Sequence, residues 1–110
     1  MNTLRNKVQL IGNLGQDPEI LITNSGKKRA RFSIATNETY KNQNGERITD
    51  TQWHTVIAWG NLADIVEKYV VKGQEVAVEG KLSNRNYQDK EGTTKYITEI
   101  VCNELLMIGK

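Results

Sequence analysis

Two tryptophans stand six residues apart in the stretch Trp53-His54-Thr55-Val56-Ile57-Ala58-Trp59. If that stretch is extended, residues two apart share a face, so Trp53, Thr55, Ile57 and Trp59 lie together while His54, Val56 and Ala58 turn the other way. The two rings then sit about 20 Å apart, at about 3.3 Å per residue, a span that holds several stacked bases. A second stretch repeats the mixture: Val76, Val78, Gly80 and Leu82 form an apolar set, and Lys81, Arg85 and Tyr87 share the opposite parity. Cations offset backbone phosphates and flat aromatic faces accept any base, so such a face suits a single-stranded nucleic acid regardless of its sequence. Parity leaves a second assignment open, because large aromatic side chains are usually buried and both tryptophans could instead belong to the core. Tyr40 has the parity of Phe32 and Ile34 on the expected core side, and reaches a binding face only if its strand bulges or twists.

Catalysis finds little to use. The chain has one histidine, no clustered Cys/His metal pattern and no Gly-rich phosphate loop. His54 lies on the parity opposite the tryptophans, where a packed or interface histidine is expected rather than a catalytic one. No enzymatic activity, cofactor or metal is therefore expected.

The elements that would position these residues follow from periodicity. Residues 7–12 alternate apolar and polar and end at a glycine, which predicts a first strand. Glu19-Ile20-Leu21-Ile22 predicts a minor strand, closed by the turn residues Asn24-Ser25-Gly26. Residues 29–40, free of Gly and Pro, predict strand two with Phe32 and Ile34 in the core. The polar segment 41–47 contains an Asn-Gly pair, and its length suggests a larger, mobile loop. Strand three is expected from about Thr51 to Trp59. Leu62, Ile65, Val66, Tyr69 and Val70 then recur at helical spacing, with Asn61 and Asp64 resembling a start cap and Gly73 suiting the C-terminal end. Strands over 75–87 and 95–107 follow, joined by a turn containing Asp89-Lys90-Glu91-Gly92. Three strands, one helix and two strands give an all-β chain with one short helix, the element order of a five-stranded Greek-key barrel of the oligonucleotide-binding (OB) type.

Composition bounds this reading without deciding it. At 110 residues the chain fits one domain, residues 1–110, and can bury a core. With 37% hydrophobic and 25% charged residues it falls in the globular range. A net charge of +2 is too small to argue for a polyanion by itself, so any basic surface must come from placement. Cys102 stands alone between apolar neighbours and reads as a small buried hydrophobe. No apolar signal segment or membrane-length run is present, so a cytoplasmic protein with no membrane partner is expected.

The segments Asn6-Lys7-Val8, Gly12-Asn13-Leu14-Gly15-Gln16-Asp17-Pro18-Glu19, Thr51-Gln52-Trp53-His54 and Val78-Glu79-Gly80-Lys81-Leu82 carry a close likeness. Through them the chain resembles the bacterial single-stranded DNA-binding protein family along nearly its whole length. The resemblance implies an OB-fold subunit of a homotetramer that wraps single-stranded DNA near the nucleoid during replication, recombination and repair. It implies base stacking at Tyr40, Trp53, Trp59 and Tyr87; the family more often has Trp at the positions of Tyr40 and Tyr87 and Phe at that of Trp59. Lys7, Lys72 and Arg85 match cationic positions that meet the DNA backbone, while Lys41 and Arg47 are added from charge alone. His54 matches a histidine at a contact between subunits.

The family usually continues into a flexible linker and an acidic C-terminal tip that recruits other proteins, whereas this sequence stops at Met107-Ile108-Gly109-Lys110. Recruitment by that route is therefore not expected of it. Two other readings compete: a tail-less replication-restart accessory protein of the same fold, and an OB-fold nuclease.

Overall fold

The computed structural model describes residues 5–108; the expectations attached to residues 1–4 and 109–110 lie outside the described residues. Six strands and one helix follow in the order β1 (Val8–Leu14), β2 (Glu19–Ile22), β3 (Lys28–Lys41), β4 (Arg47–Trp59), α1 (Asn61–Tyr69), β5 (Glu75–Gln88) and β6 (Thr94–Met107). They are hydrogen-bonded in the order β1-β5-β6-β4-β3-β2, and β1 also meets β3 at Asn13↔Ala35 and Leu14↔Ile34. That last pairing closes β1, β3, β4, β5 and β6 into the expected Greek-key OB barrel, with β2 a short addition on β3. The β4–β6 pairing is parallel, at Val56↔Ile100 and Ile57↔Val101, and the others are antiparallel.

One parity of each barrel strand fills the interior. Leu14, Phe32, Ile34, Val56, Ala58, Val76, Val78, Ile100 and Cys102 are all 5% exposed or less. At Glu79/Gly80 the β5–β6 register slips, from Glu79↔Glu104 to Gly80↔Cys102, leaving Asn103 as an extra residue. The inward parity of β6 therefore changes from Ile100 and Cys102 to Leu105, which packs on the core. Cys102 is the small buried hydrophobe expected, and burial pushes its thiol above the ordinary cysteine range.

The helix departs from its expected face and ends. Ala63, Val66 and Val70 are buried, but Ile65 and Tyr69 are exposed. Gly60, not Asn61, caps the start, and no side chain completes that cap. Asp64 instead joins Glu67 in gripping Lys28 Nζ, tying α1 to the beginning of β3. The Glu67 and Asp64 hydrogen bonds raise the Lys28 pKa. Val70 ends the helix in extended conformation, and Gly73 serves a later turn closed by Gln74 N–H donating to Val71 O, 3.1 Å.

Two ladders outrun the barrel and form arms. β3 and β4 pair without a break from Arg29↔Trp59 to Lys41↔Arg47, so β4 starts at Arg47, earlier than expected. β5 and β6 pair outward as far as Gln88↔Thr94. The arms raise the radius of gyration to 16.1 Å, against about 13 Å for a compact chain of this length. They also explain Leu82, expected in the core but 46% exposed: it sits where β5 leaves the barrel, and Asn6 binds both its N–H and C=O.

The expected large loop after β3 is an ordered turn. Asn42 N–H donates to Glu46 O, Gly45 N–H to Asn42 O, and Asn42 Oδ1 accepts from the N–H groups of Asn44 and Glu46. Asp89 makes the same set across residues 89–93, and Thr23 a close variant across 23–27. Each turn places a glycine (Gly26, Gly45 or Gly92) fourth, with φ between 81° and 87°, where a side chain would be strained.

Candidate nucleic-acid interface

The non-core parity of four strands forms one continuous exterior face. Across β3 and β4 its rows are Ala35↔Trp53, Ser33↔Thr55, Arg31↔Ile57 and Arg29↔Trp59. Ile57 leads across the parallel pairing to Val101, and β6 leads to β5 through Val101↔Lys81, Glu99↔Ser83, Ile97↔Arg85 and Lys95↔Tyr87. Trp53, Trp59 and Tyr87 thus share a face and are 60%, 40% and 44% exposed. The core assignment left open by the sequence is excluded for both tryptophans, because Val56 and Ala58 take the interior.

Trp53 is held as well as exposed. A Cβ built on Gly15 would lie 2.7 and 2.8 Å from Cζ3 and Cη2 of the Trp53 ring. The indole therefore rests on bare backbone, and any larger residue at Gly15 must push it away. Its cross-strand partner, Ala35, is too small to cover it. The β1–β2 turn beside that seat is fixed in turn: Asp17 Oδ1 accepts the Lys72 N–H at 2.8 Å, and Gly73 N–H donates to Leu14 O at 2.9 Å. Lys72 is exposed on this neighbouring loop.

Tyr40 reaches solvent by a different route from the one expected. The β3–β4 ladder has no bulge, so Tyr40 keeps the parity of Phe32 and Ile34 and pairs with Ile48. It is 55% exposed because the arm has no core beneath it. By parity it occupies the opposite face of the ribbon from Trp53. Lys41 and Arg47 face each other at the end of the arm, on the Trp53 parity. Like charges directly opposite destabilise a sheet, by about 0.2 to 1 kcal/mol, unless an anion joins them.

The other two proposed cations are already engaged. Lys7 Nζ lies 3.4 Å from Glu79 Oε2, at the β1 edge. Arg85 donates from Nε to Glu99 Oε1 at 3.0 Å and from Nη2 to Oε2 at 3.2 Å. Glu99 is 6% exposed, the one buried charged side chain among the described residues. The Arg85 hydrogen bond holds its carboxyl below the usual carboxylate range against the opposing effect of burial, and the charges of Arg85, Arg31 and Arg29 add to the shift. His54 is half-buried on the reverse face, with Nε2 3.1 Å from Thr36 Oγ1.

Arg29, Arg31 and Glu99 were missed in the sequence, although the first two share the outward parity of strand two. That strand was read only for its apolar set. Among the described residues no helix is long and apolar enough to cross a membrane.

A closed Greek-key barrel with one aromatic and cationic exterior face defines a class: small OB-fold nucleic-acid-binding modules. The chain belongs to the single-strand binding protein family, whose model matches residues 5–108. It is 48% identical over 105 residues to single-stranded DNA-binding protein 1 of Chlorobaculum tepidum, covering 94% of this chain and 65% of that protein. Against single-stranded DNA-binding protein 1 of Xylella fastidiosa the identity is 45% over 106 residues, covering 96% and 78%. A solved Plasmodium falciparum SSB complex with ssDNA superposes with a TM-score of 0.86 at 37% identity, covering 98% of this chain and 99% of that one. The family is one of binding proteins, in keeping with the non-catalytic reading of the sequence.

Proposed function

We propose that this chain binds single-stranded DNA without regard to sequence, covering it during replication, recombination and repair in the bacterial cytoplasm. The observation that carries this reading is the exposed row of Trp53, Trp59 and Tyr87 on one sheet face, with Trp53 seated on Gly15. Bases stack on these rings and on Tyr40 at the back of the β3–β4 arm. Lys41, Arg47 and Lys72 meet the backbone, while Lys7 and Arg85 contribute less free charge because each faces a carboxylate. Both tryptophans should lie under bases, so poly(dT) at low salt should quench the intrinsic fluorescence. The affinity should fall with salt, by about 0.7 in log slope per phosphate neutralised. Unchanged emission on saturating poly(dT) would remove both tryptophans from the site.

The working form is a homotetramer, with His54 at a contact between subunits. Supporting it, Ile11, Ala77 and Leu106 align across β1, β5 and β6 as an exterior apolar row, and Ile11 and Leu106 are 58% and 65% exposed. An aliphatic row of this kind is better covered by another subunit than by water. Sedimentation of the free protein tests it: a single species of one chain's mass across micromolar concentrations refutes the assembly.

A further inference from the structure

A buried carboxylate in the middle of a surface proposed to receive a polyanion needs a physical reason. Glu99 lies on the same exterior face as Trp53, Trp59 and Tyr87, and its charge cancels most of what Arg85 could offer a phosphate. If Arg85 served only as counter-charge, a free side chain would do better, as Lys41 and Arg47 do. What the fork gains is geometry. Two parallel N–H···O bonds fix the guanidinium in its plane, which a point contact cannot do. The partners also differ in depth: the Arg85 side chain is 51% exposed and that of Glu99 only 7%. The guanidinium is therefore anchored along one edge by a buried partner while about half of the Arg85 side chain stays open to solvent.

We propose that Arg85 is a fifth stacking surface of the single-stranded DNA site and that Glu99 is the positioning residue that holds it. Guanidinium planes stack on nucleobases much as aromatic rings do. Arg85 is two residues from Tyr87 on one face of β5, about 6.6 Å away at about 3.3 Å per residue, so neighbouring bases can use both platforms. The N–H groups left over from the fork stay free for the oxygens of a neighbouring base. Arg31 and Arg29, in register with Ile57 and Trp59, keep Glu99 charged from the other side.

This proposal rests on the single-stranded DNA reading, and one set of titrations separates the two. Poly(dT) binding is measured at several salt concentrations for the wild type, R85K, R85A and E99Q, with denaturant midpoints recorded for each. R85K keeps the charge and loses the plane; it should weaken binding about tenfold, as much as R85A, and both should keep the wild-type salt slope. E99Q raises the net charge by one, yet it should bind more weakly because Arg85 is released. R85K within twofold of wild type, or R85A lowering the log salt slope by about 0.7, would return Arg85 to a phosphate contact. Tighter binding by E99Q would reduce Glu99 to a charge offset. Any of these overturns the proposal while the wild type still binds; absence of wild-type binding overturns the DNA reading itself. R85K alters an exposed side chain, so it decides the matter even if E99Q folds poorly.

Discussion

The barrel has two exterior regions built by the same alternation that fills its interior, and they differ in kind. On β3, β4, β6 and the outer half of β5, the outward residues include Trp53, Trp59, Tyr87, Arg29, Arg31 and Arg85. On β1, the inner half of β5 and the end of β6 they include Ile11, Ala77 and Leu106, rimmed by Gln9, Glu79 and Glu104. Both regions expose large apolar surface, so exposure alone does not distinguish them. Shape and charge do. Flat rings among cations can meet a different base each time, whereas an aliphatic row rimmed by carboxylates repels nucleic acid and favours a protein surface. β1 adds an open edge, since it pairs with β3 only at Asn13 and Leu14 and leaves residues 8–12 unpaired on that side.

The sharpest way to break this contrast is to charge the aliphatic row. Leu106→Asp combined with Ile11→Asp should lower the mass of the proposed tetramer at least twofold, because burying two carboxylates per subunit without partners costs several kcal/mol while a separate contact at His54 can still hold a pair together. Analytical ultracentrifugation reads the mass. Retention of the tetramer would show that the subunits meet elsewhere.

Next in size are the rings themselves. Trp53→Ala should weaken single-stranded DNA binding by about 1 to 3 kcal/mol, in the range general for stacked bases. Its denaturant midpoint should barely move, whereas Phe32→Ala, on the core parity, should lose about 3 to 5 kcal/mol of stability. Gly15→Ala should mimic part of the Trp53→Ala loss without removing an aromatic atom. Wild-type affinity in Gly15→Ala would mean that the ring needs no seat. Tyr40→Ala tests whether the back of the arm belongs to the site: equal losses at Tyr40 and Trp53 place both sides of the ribbon against DNA, and no loss at Tyr40 restricts the path to the front.

These contrasts were partly legible in the residues alone. Alternation located the strands wherever one face is buried, and it set Trp53 and Trp59 on one face and Val56 and Ala58 on the other without deciding which of the two lines the core. It failed where neither face is buried. Residues 47–50, Arg47-Ile48-Thr49-Asp50, show one apolar residue and no alternation because the arm has no core, and the start of β4 was lost. Tyr40 and Leu82 keep the core parity but lie beyond the core, so parity named the right face and the wrong environment. The extra residue at Asn103 leaves no mark in composition. The turns at Asn24-Ser25-Gly26 and Asp89-Lys90-Glu91-Gly92 were read as turns, and the third was within reach, since Asn42 precedes a glycine by three residues just as Thr23 and Asp89 do. Arg29 and Arg31 needed only the outward parity of a strand already drawn. The Arg85–Glu99 pair crosses the β5–β6 hairpin on the diagonal, Glu99 standing opposite Ser83 and Arg85 opposite Ile97, so it needed the hairpin register as well as the two residues.

The smallest expected effect is in acid, and it separates the aromatic region from the aliphatic one by the carboxylate beneath it. The folded pKa of Glu99 lies below its unfolded value of about 4.3, because Arg85 hydrogen-bonds the ionised form. The folded state therefore binds this proton less readily than the unfolded chain. The resulting stability is present in full above the unfolded pKa and is lost as pH falls through the folded one. With Arg85 half exposed, the contribution is about 1 kcal/mol. Denaturant midpoints from pH 7 down to pH 3 should fall more steeply for the wild type than for E99Q, which cannot titrate there. Parallel curves for wild type and E99Q would mean that the fork contributes no net stability, leaving orientation of Arg85 as its only consequence.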